Sequence, residues 1–226
     1  TKSIISFYEE SEKNLDKVLK IFIRVNSGGT QLSYSDLLMS ILTANFSTDI
    51  RDMMQKLVEA FRDKGFGVLG RDQILKSCLL LTGCNHIFNL KNFSKTNISK
   101  IEENWDKITT SLYEATQIVE DFGYAYQLST AYIISIIALY LYNNDKKYSQ
   151  VDSAELNAIS EFIRNAQIKS FFTTSLDNKL TIAANCIKNT NSFNGFNEEM
   201  KKNHHIEITN DDIEGILDNV QFGNPA

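Results

Sequence analysis

Proline occurs only once in this 226-residue chain, as Pro225, next to the carboxyl terminus. Because proline lacks an amide hydrogen and clashes with the preceding turn, its absence from the interior leaves long helices unobstructed. Apolar residues recur at steps of three and four, as in Leu15, Val18, Leu19 and Phe22, which is the spacing of one helical face. These two features predict an all-α fold, a compact domain of about eight to ten helices.

The most apolar run of the chain, residues 132–142, predicts the central helix of this domain, over about residues 129–142. Ile134, Ile137, Ala138 and Leu141 are expected to be almost fully buried there. The run is much shorter than the roughly 20 residues that span a bilayer, and the polar start of the chain does not resemble a signal peptide. We therefore expect no membrane partner and a cytoplasmic location. A net charge of -5 argues against a basic nucleic-acid-binding surface over the whole protein, although a local basic patch is compatible with it.

Residues 1–190 are expected to form the main helical portion, and residues 191–226 a weaker helical tail. A single long helix is predicted over about residues 99–122, with Gly123 ending it. The only candidate strand, Ser3 to Tyr8, has no convincing partner, and a lone strand needs a sheet to join. Together with the missing initiator methionine, this suggests a piece of a longer protein.

Residues that could carry metal or acid–base chemistry are few. Three cysteines at unhelpful spacings are typical of reduced, mostly buried thiols, and Cys84-x-His86 is too small a set for a zinc site, so no metal is assigned to this chain. The acidic pairs Glu102-Glu103 and Asp211-Asp212 are expected at helix starts, where negative charge favours the helix dipole. Neither pair is assigned to catalysis, and the catalytic residues stay unknown.

One short segment, IFIRVNSGGTQL at residues 21–32, stands out from this pattern. A helix end that needs glycine, followed by a tight turn, explains it in structural terms. Alternatively, consecutive backbone N–H groups form an anion-binding nest, and an arginine fork beside it binds phosphate. The candidate nucleotide- or phosphate-binding residues are then Arg24, Asn26, Ser27, Gly28, Gly29 and Thr30. The segment is not a Walker loop, because the Gly-Lys-Ser/Thr ending is absent.

The surrounding run from Val18 to Leu38 resembles the second conserved segment of the domain of unknown function 262 family, whose pattern is Phe-x-Arg-x-Asn, a glycine-rich turn and a leucine before a helix. The matching residues are Phe22, Arg24, Asn26, Gly28, Gly29, Thr30 and Leu32. Two further segments, residues 71–76 and 171–177, resemble an apolar helix and a late helix–turn of that family. The family has a ParB/sulfiredoxin-like amino-terminal fold and includes modification-dependent restriction enzymes of the GmrSD type.

This resemblance implies the helical carboxyl-terminal portion of a bacterial phage-defence protein, supplying part of a nucleotide or DNA-phosphate site. The family's Asp-Gly-Gln-Gln-Arg signature and a His-Asn-His nuclease motif do not occur in the chain. We therefore expect a nucleotide-hydrolysing or nuclease-linked parent enzyme, and no activity or cofactor in this chain alone. A nucleoside triphosphate and a divalent metal are candidates for the full-length protein, and the expected partners are its upstream ParB-like part and DNA. The alternative is a non-catalytic helical scaffold or protein-interaction module.

Overall fold

The predicted helical periodicity corresponds to ten α-helices in a computed structural model that describes residues 34–190 and 192–219. No strand occurs in these two ranges, so the all-α prediction is confirmed there, whereas the candidate strand Ser3 to Tyr8 lies outside them. The helices are α1 Tyr34–Asn45, α2 Ile50–Asp63, α3 Arg71–Leu81, α4 Lys95–Glu103, α5 Trp105–Asp121, α6 Tyr132–Asn144, α7 Ser153–Ile168, α8 Leu176–Asn189, α9 Phe193–His204 and α10 Asn210–Asn219. Short 3-10 turns at Leu90–Phe93 and Tyr148–Gln150 complete the described secondary structure.

Helix α6 is the centre of the domain, as predicted. Every residue from Ile133 to Leu141 is buried, and the helix packs against α5, α3, α8 and α7. The four residues expected at its core, Ile134, Ile137, Ala138 and Leu141, all have 0% of their surface exposed. A helix that is apolar on every side has to be covered on every side, which explains why the other helices surround it.

Two helix starts follow directly from local sequence. The Asp49 carboxylate accepts hydrogen bonds from the amides of Arg51 and Asp52 at the start of α2. The Asp152 carboxylate accepts one from the amide of Glu155 at the start of α7. An aspartate in this position satisfies amides that have no partner within the helix.

The helix predicted over residues 99–122 is instead two helices, α4 and α5, which meet at Asn104. The Asn104 backbone leaves the helical region at φ -109° and ψ 10°. Its side-chain amide donates to the Lys100 carbonyl at 2.9 Å, and its side-chain oxygen accepts from the Tyr142 hydroxyl at 3.0 Å. Asparagine side chains compete with the helix backbone in this way, so the single-helix prediction was wrong.

The two acidic pairs therefore have different positions. Glu102-Glu103 ends α4, which contradicts the expected helix start, whereas Asp211-Asp212 lies in the first turn of α10 as expected. The Glu102 carboxylate accepts from the hydroxyl and the amide of Ser47, both at 2.6 Å, and these hydrogen bonds lower its pKa. Glu102 thus ties α4 to the loop before α2.

The region after residue 190 contributes to the core. Phe193, Phe196 and Met200 of α9 are buried, and both phenylalanines pack edge-on against Phe162 of α7. His204 ends α9, and His205 follows in the left-handed conformation. Helix α10 is attached by an ion pair of 2.5 Å between Lys169 and Asp212. The division of the chain at residue 190 stays a prediction.

Candidate functional site

The six predicted phosphate-binding residues, Arg24, Asn26, Ser27, Gly28, Gly29 and Thr30, lie outside the described residues. The description begins at Tyr34, the first residue of α1. Only three residues separate Thr30 from Tyr34 in the sequence, so the start of α1 is the described surface nearest to the predicted site along the chain.

Residues from the first turns of four helices, together with Lys76 from the middle of α3, form a polar cluster that we call the pole. Its members are Ser35 and Asp36 of α1, Arg71, Asp72 and Lys76 of α3, Tyr132 of α6 and Asp177 of α8. The Ser35 hydroxyl donates to the Asp72 carboxylate, and the Arg71 guanidinium binds the Asp36 carboxylate at 2.8 Å. These contacts join α1 to α3 through side chains of their first turns.

Lys76 and Asp177 form the long-range contact of the pole. The Lys76 ammonium lies 2.5 Å from a carboxylate oxygen of Asp177, although the two residues are 101 positions apart in the sequence. The Lys76 side chain is 9% exposed and the Asp177 side chain 44% exposed, so the pair lies where the core meets solvent. A buried ammonium needs such a partner, because burial without one is very costly.

The pole brings together residues from the three segments that the sequence analysis singled out. Asp36 and Ser35 belong to residues 18–38, Arg71 to Lys76 form the second segment, and Asp177 ends the third. Hydrogen bonds and ion pairs connect the first segment to the second and the second to the third. The sequence did not indicate these pairings, because nothing local to one residue identifies a partner far along the chain.

His86 forms a hydrogen bond with the backbone of Asp177. Its Nε2 atom lies 3.0 Å from the Asp177 carbonyl oxygen, which can only accept a hydrogen bond, so Nε2 carries the proton. The hydroxyl of Thr181 donates to the same carbonyl at 2.8 Å. Cys84 instead accepts a hydrogen bond from the Thr82 hydroxyl. His86 and Cys84 therefore have separate hydrogen-bond partners.

Tyr132 adds a protonated phenol to the pole. Burial, followed by the negative charges of Asp177 and Asp72, raises its pKa to about 12. The hydroxyl therefore keeps its proton at neutral pH. Its ring lies near that of Phe172, with the centroids 6.5 Å apart.

The pole combines groups of both signs. Four helices begin there, and the first amides of a helix carry partial positive charge, whereas the three carboxylates face only two cations, Arg71 and Lys76. Asp36, Asp72 and Asp177 occupy first turns of these helices, where a phosphate is also favoured. Within residues 34–190 and 192–219, no set of three or more His, Cys, Asp or Glu side chains is arranged to hold a metal ion.

Two of the three thiols, those of Cys78 and Cys186, are buried. Burial raises the pKa of Cys78 to about 12 and that of Cys186 to about 11, so both stay protonated at neutral pH. All three cysteines are free, and Cys84 is only partly buried. These observations agree with the expected reduced and mostly buried thiols.

Across the described residues, none of the helices combines the length and apolar character needed to cross a bilayer.

No protein-family model matches the chain, and no curated protein matches it.

Proposed function

We propose that this chain is the helical portion of a bacterial phage-defence protein of the modification-dependent restriction type. In this proposal the segment from Arg24 to Thr30, together with the pole, supplies one wall of a nucleotide or DNA-phosphate site. One observation carries the proposal: the three segments that resemble the family in sequence include the residues that contact one another at the pole. Unrelated resemblances along a chain have no reason to converge on one surface.

The chemistry of the pole supports this proposal. Helix amino termini, the protonated Tyr132 hydroxyl and the ammonium of Lys76 all favour an anionic ligand. Asp177 is the more exposed partner of Lys76, so an incoming phosphate can replace its carboxylate without first exposing the core.

One observation favours the alternative, a scaffold or interaction module without an active site. Lys76 and Arg71 already have carboxylate partners in Asp177 and Asp36, and each pair connects two helices. A purely structural network has this appearance as well. The two functions therefore have to be separated by experiment.

The decisive variant is Arg24→Lys in the full-length protein, because lysine keeps the charge and loses the bidentate fork. Each charge-assisted phosphate contact contributes about 1.5–3 kcal/mol, so we expect nucleotide- or DNA-dependent activity to fall by about tenfold or more. The melting midpoint, measured by circular dichroism, is expected to move very little. Arg164→Lys is the matched control, because Arg164 is exposed on α7 and takes no part in the pole.

The opposite pattern would support the scaffold. In that case Arg24→Lys melts many degrees lower and retains full activity per folded molecule. Nucleotide titration of the 226-residue chain and of a longer protein adds a binding measurement, and absence of binding by both would count against the phosphate site.

A further inference from the structure

Lys76 is the less exposed of the two cations of the pole, and Asp177 is its partner. The Lys76 side chain is 9% exposed, against 42% for Arg71. Within the part of the chain that the structure describes, the Asp177 carboxylate is the only hydrogen-bond acceptor of the Lys76 ammonium. Because an ammonium has three N–H donors, one carboxylate oxygen does not exhaust its capacity.

The charges of the pole work against an anion while this ion pair is formed. Three carboxylates, those of Asp36, Asp72 and Asp177, lie beside two cations. After burial, the negative charges of Asp177 and Asp72 are what raise the pKa of Tyr132 to about 12. These two carboxylates thus make the potential at the phenol more negative, and the same potential repels a phosphate.

Asp177 is the carboxylate that can leave its cation with the smallest change of structure. Its side chain is 44% exposed, so a different rotamer brings the carboxylate into water. Its backbone stays anchored, because the Asp177 carbonyl accepts hydrogen bonds from the His86 ring at 3.0 Å and from the Thr181 hydroxyl at 2.8 Å. The Asp72 carboxylate is held differently, by the hydroxyl of Ser35, which is itself only 4% exposed.

We infer that Asp177 is an autoinhibitory contact of the pole: its carboxylate binds Lys76 where a phosphate would bind, and a bound phosphate displaces it. This inference rests on the phosphate site proposed above and adds how that site is regulated. Because the competing carboxylate belongs to the protein itself, its effective concentration is high, and free phosphate should bind the wild type weakly. Binding also exchanges the link between α3 and α8 for a bond to the ligand.

The test uses the 226-residue chain and inorganic phosphate. The melting midpoint is measured by circular dichroism at phosphate concentrations up to about 50 mM, with sodium chloride added to hold the ionic strength constant. A ligand that binds only the folded state raises the midpoint, and the dependence on concentration gives its Kd.

The informative variant is Asp177→Asn, which keeps the size of the side chain and removes its charge. Without phosphate it should melt at a lower temperature than the wild type, because the Lys76 ammonium loses its carboxylate. Phosphate should recover most of this loss, with a Kd about tenfold lower than that of the wild type. Asp177→Glu keeps a competing carboxylate, so its response to phosphate should resemble that of the wild type.

The matched control is Asp52→Asn. Asp52 also lies in the first turn of a helix, α2, and its carboxylate binds Lys56 at 2.7 Å. The two side chains are 52% and 73% exposed, so this ion pair contributes little and lies away from the pole. The control variant should change neither the midpoint nor its response to phosphate by much. A double variant, Lys76→Met with Asp177→Asn, lacks the ammonium and should lose the response.

The possible results separate this inference from the function on which it rests. Equal responses of the wild type and Asp177→Asn would overturn the inference and leave the proposed phosphate site standing. A response that survives in the double variant would place the phosphate away from Lys76 and overturn it as well. The absence of a response in every variant would overturn the inference together with phosphate binding at the pole. Asp177→Ser, whose hydroxyl still accepts from the ammonium, replaces Asp177→Asn in these comparisons if the asparagine variant does not fold.

Discussion

Glu155 is a carboxylate held inside the protein by two side chains. The Lys146 ammonium lies 2.9 and 2.8 Å from its two oxygens, and the Tyr140 hydroxyl donates to it as well. The Glu155 side chain is only 6% exposed, whereas that of Lys146 is 30% exposed. The cluster fastens the loop after α6 to the first turn of α7, and its carboxylate depends on the lysine for its charge balance.

Removing the ammonium should therefore destabilise the protein. We expect Lys146→Met to lower the free energy of unfolding by about 1–3 kcal/mol, because it leaves a buried carboxylate without its cation. Urea denaturation measures this change. Adding Glu155→Gln should recover part of the loss, and Lys147→Met, at the exposed neighbouring position, should have little effect. A loss equal in both single variants would contradict this role.

The stabilisation by Lys146 is expected to decrease at alkaline pH. Hydrogen bonding to Glu155 raises the pKa of Lys146, and burial raises that of Tyr140. A group whose pKa is raised on folding stabilises the protein below its unfolded pKa, and the stabilisation is lost as the pH rises through the folded value. The difference between wild type and Lys146→Met should thus be constant between about pH 6 and pH 9 and shrink above about pH 10.5.

At the scale of the residue, contacts with near neighbours in the sequence are predictable, whereas contacts between distant residues are not. Asp49 and Asp152 were predictable as helix caps, because a cap acts on amides two or three residues away. The pairing of Lys76 with Asp177 was not, because it depends on how α3 and α8 pack. A helix cap can therefore be predicted from a single sequence, whereas the pairing of Lys76 with Asp177 becomes apparent only in the folded structure.

At the scale of the element, the central helix was the most predictable feature and Asn104 the least. Apolar residues on every side of α6 leave few alternatives to a central position. The break between α4 and α5 depends on the contact between Asn104 and Tyr142, 38 positions away. The helical periodicity continues across the break, so it does not reveal it.

The central position of α6 predicts a large effect of truncation. Ile137→Ala should lower the free energy of unfolding by about 2–5 kcal/mol, because it removes buried methyl groups and leaves a cavity. Ile168→Ala is the control, since Ile168 at the end of α7 is 39% exposed. Chemical denaturation of the two variants checks the difference. Equal losses would show that α6 does not occupy the centre.

At the scale of the whole molecule, the all-α fold was predictable, whereas the predicted phosphate site stays a prediction. The segment from Arg24 to Thr30 stands out by composition, and it lies outside the described residues. The contacts of Arg71 with Asp36 and of Lys76 with Asp177 depend on the packing of α1, α3 and α8, which the sequence does not show.

We predict that the 226-residue chain alone hydrolyses no nucleotide and cuts no DNA. Phosphoryl transfer needs a positioned base or metal, and the sequence contains neither the Asp-Gly-Gln-Gln-Arg nor the His-Asn-His motif that would supply one. Phosphate release and plasmid nicking, each with added magnesium, measure this. Robust turnover that Arg24→Ala abolishes would refute it.

The helices that cover α6 lie both before and after it in the sequence, and this order has a consequence for synthesis on the ribosome. Helices α3 and α5 are made before α6, but α8 ends 45 residues after it, at Asn189. At translation rates of about 5–20 residues per second, that interval lasts on the order of 2–9 s. During it the most apolar helix of the protein has one side uncovered, so a nascent chain halted before α8 emerges is the form most prone to aggregate and to engage a chaperone.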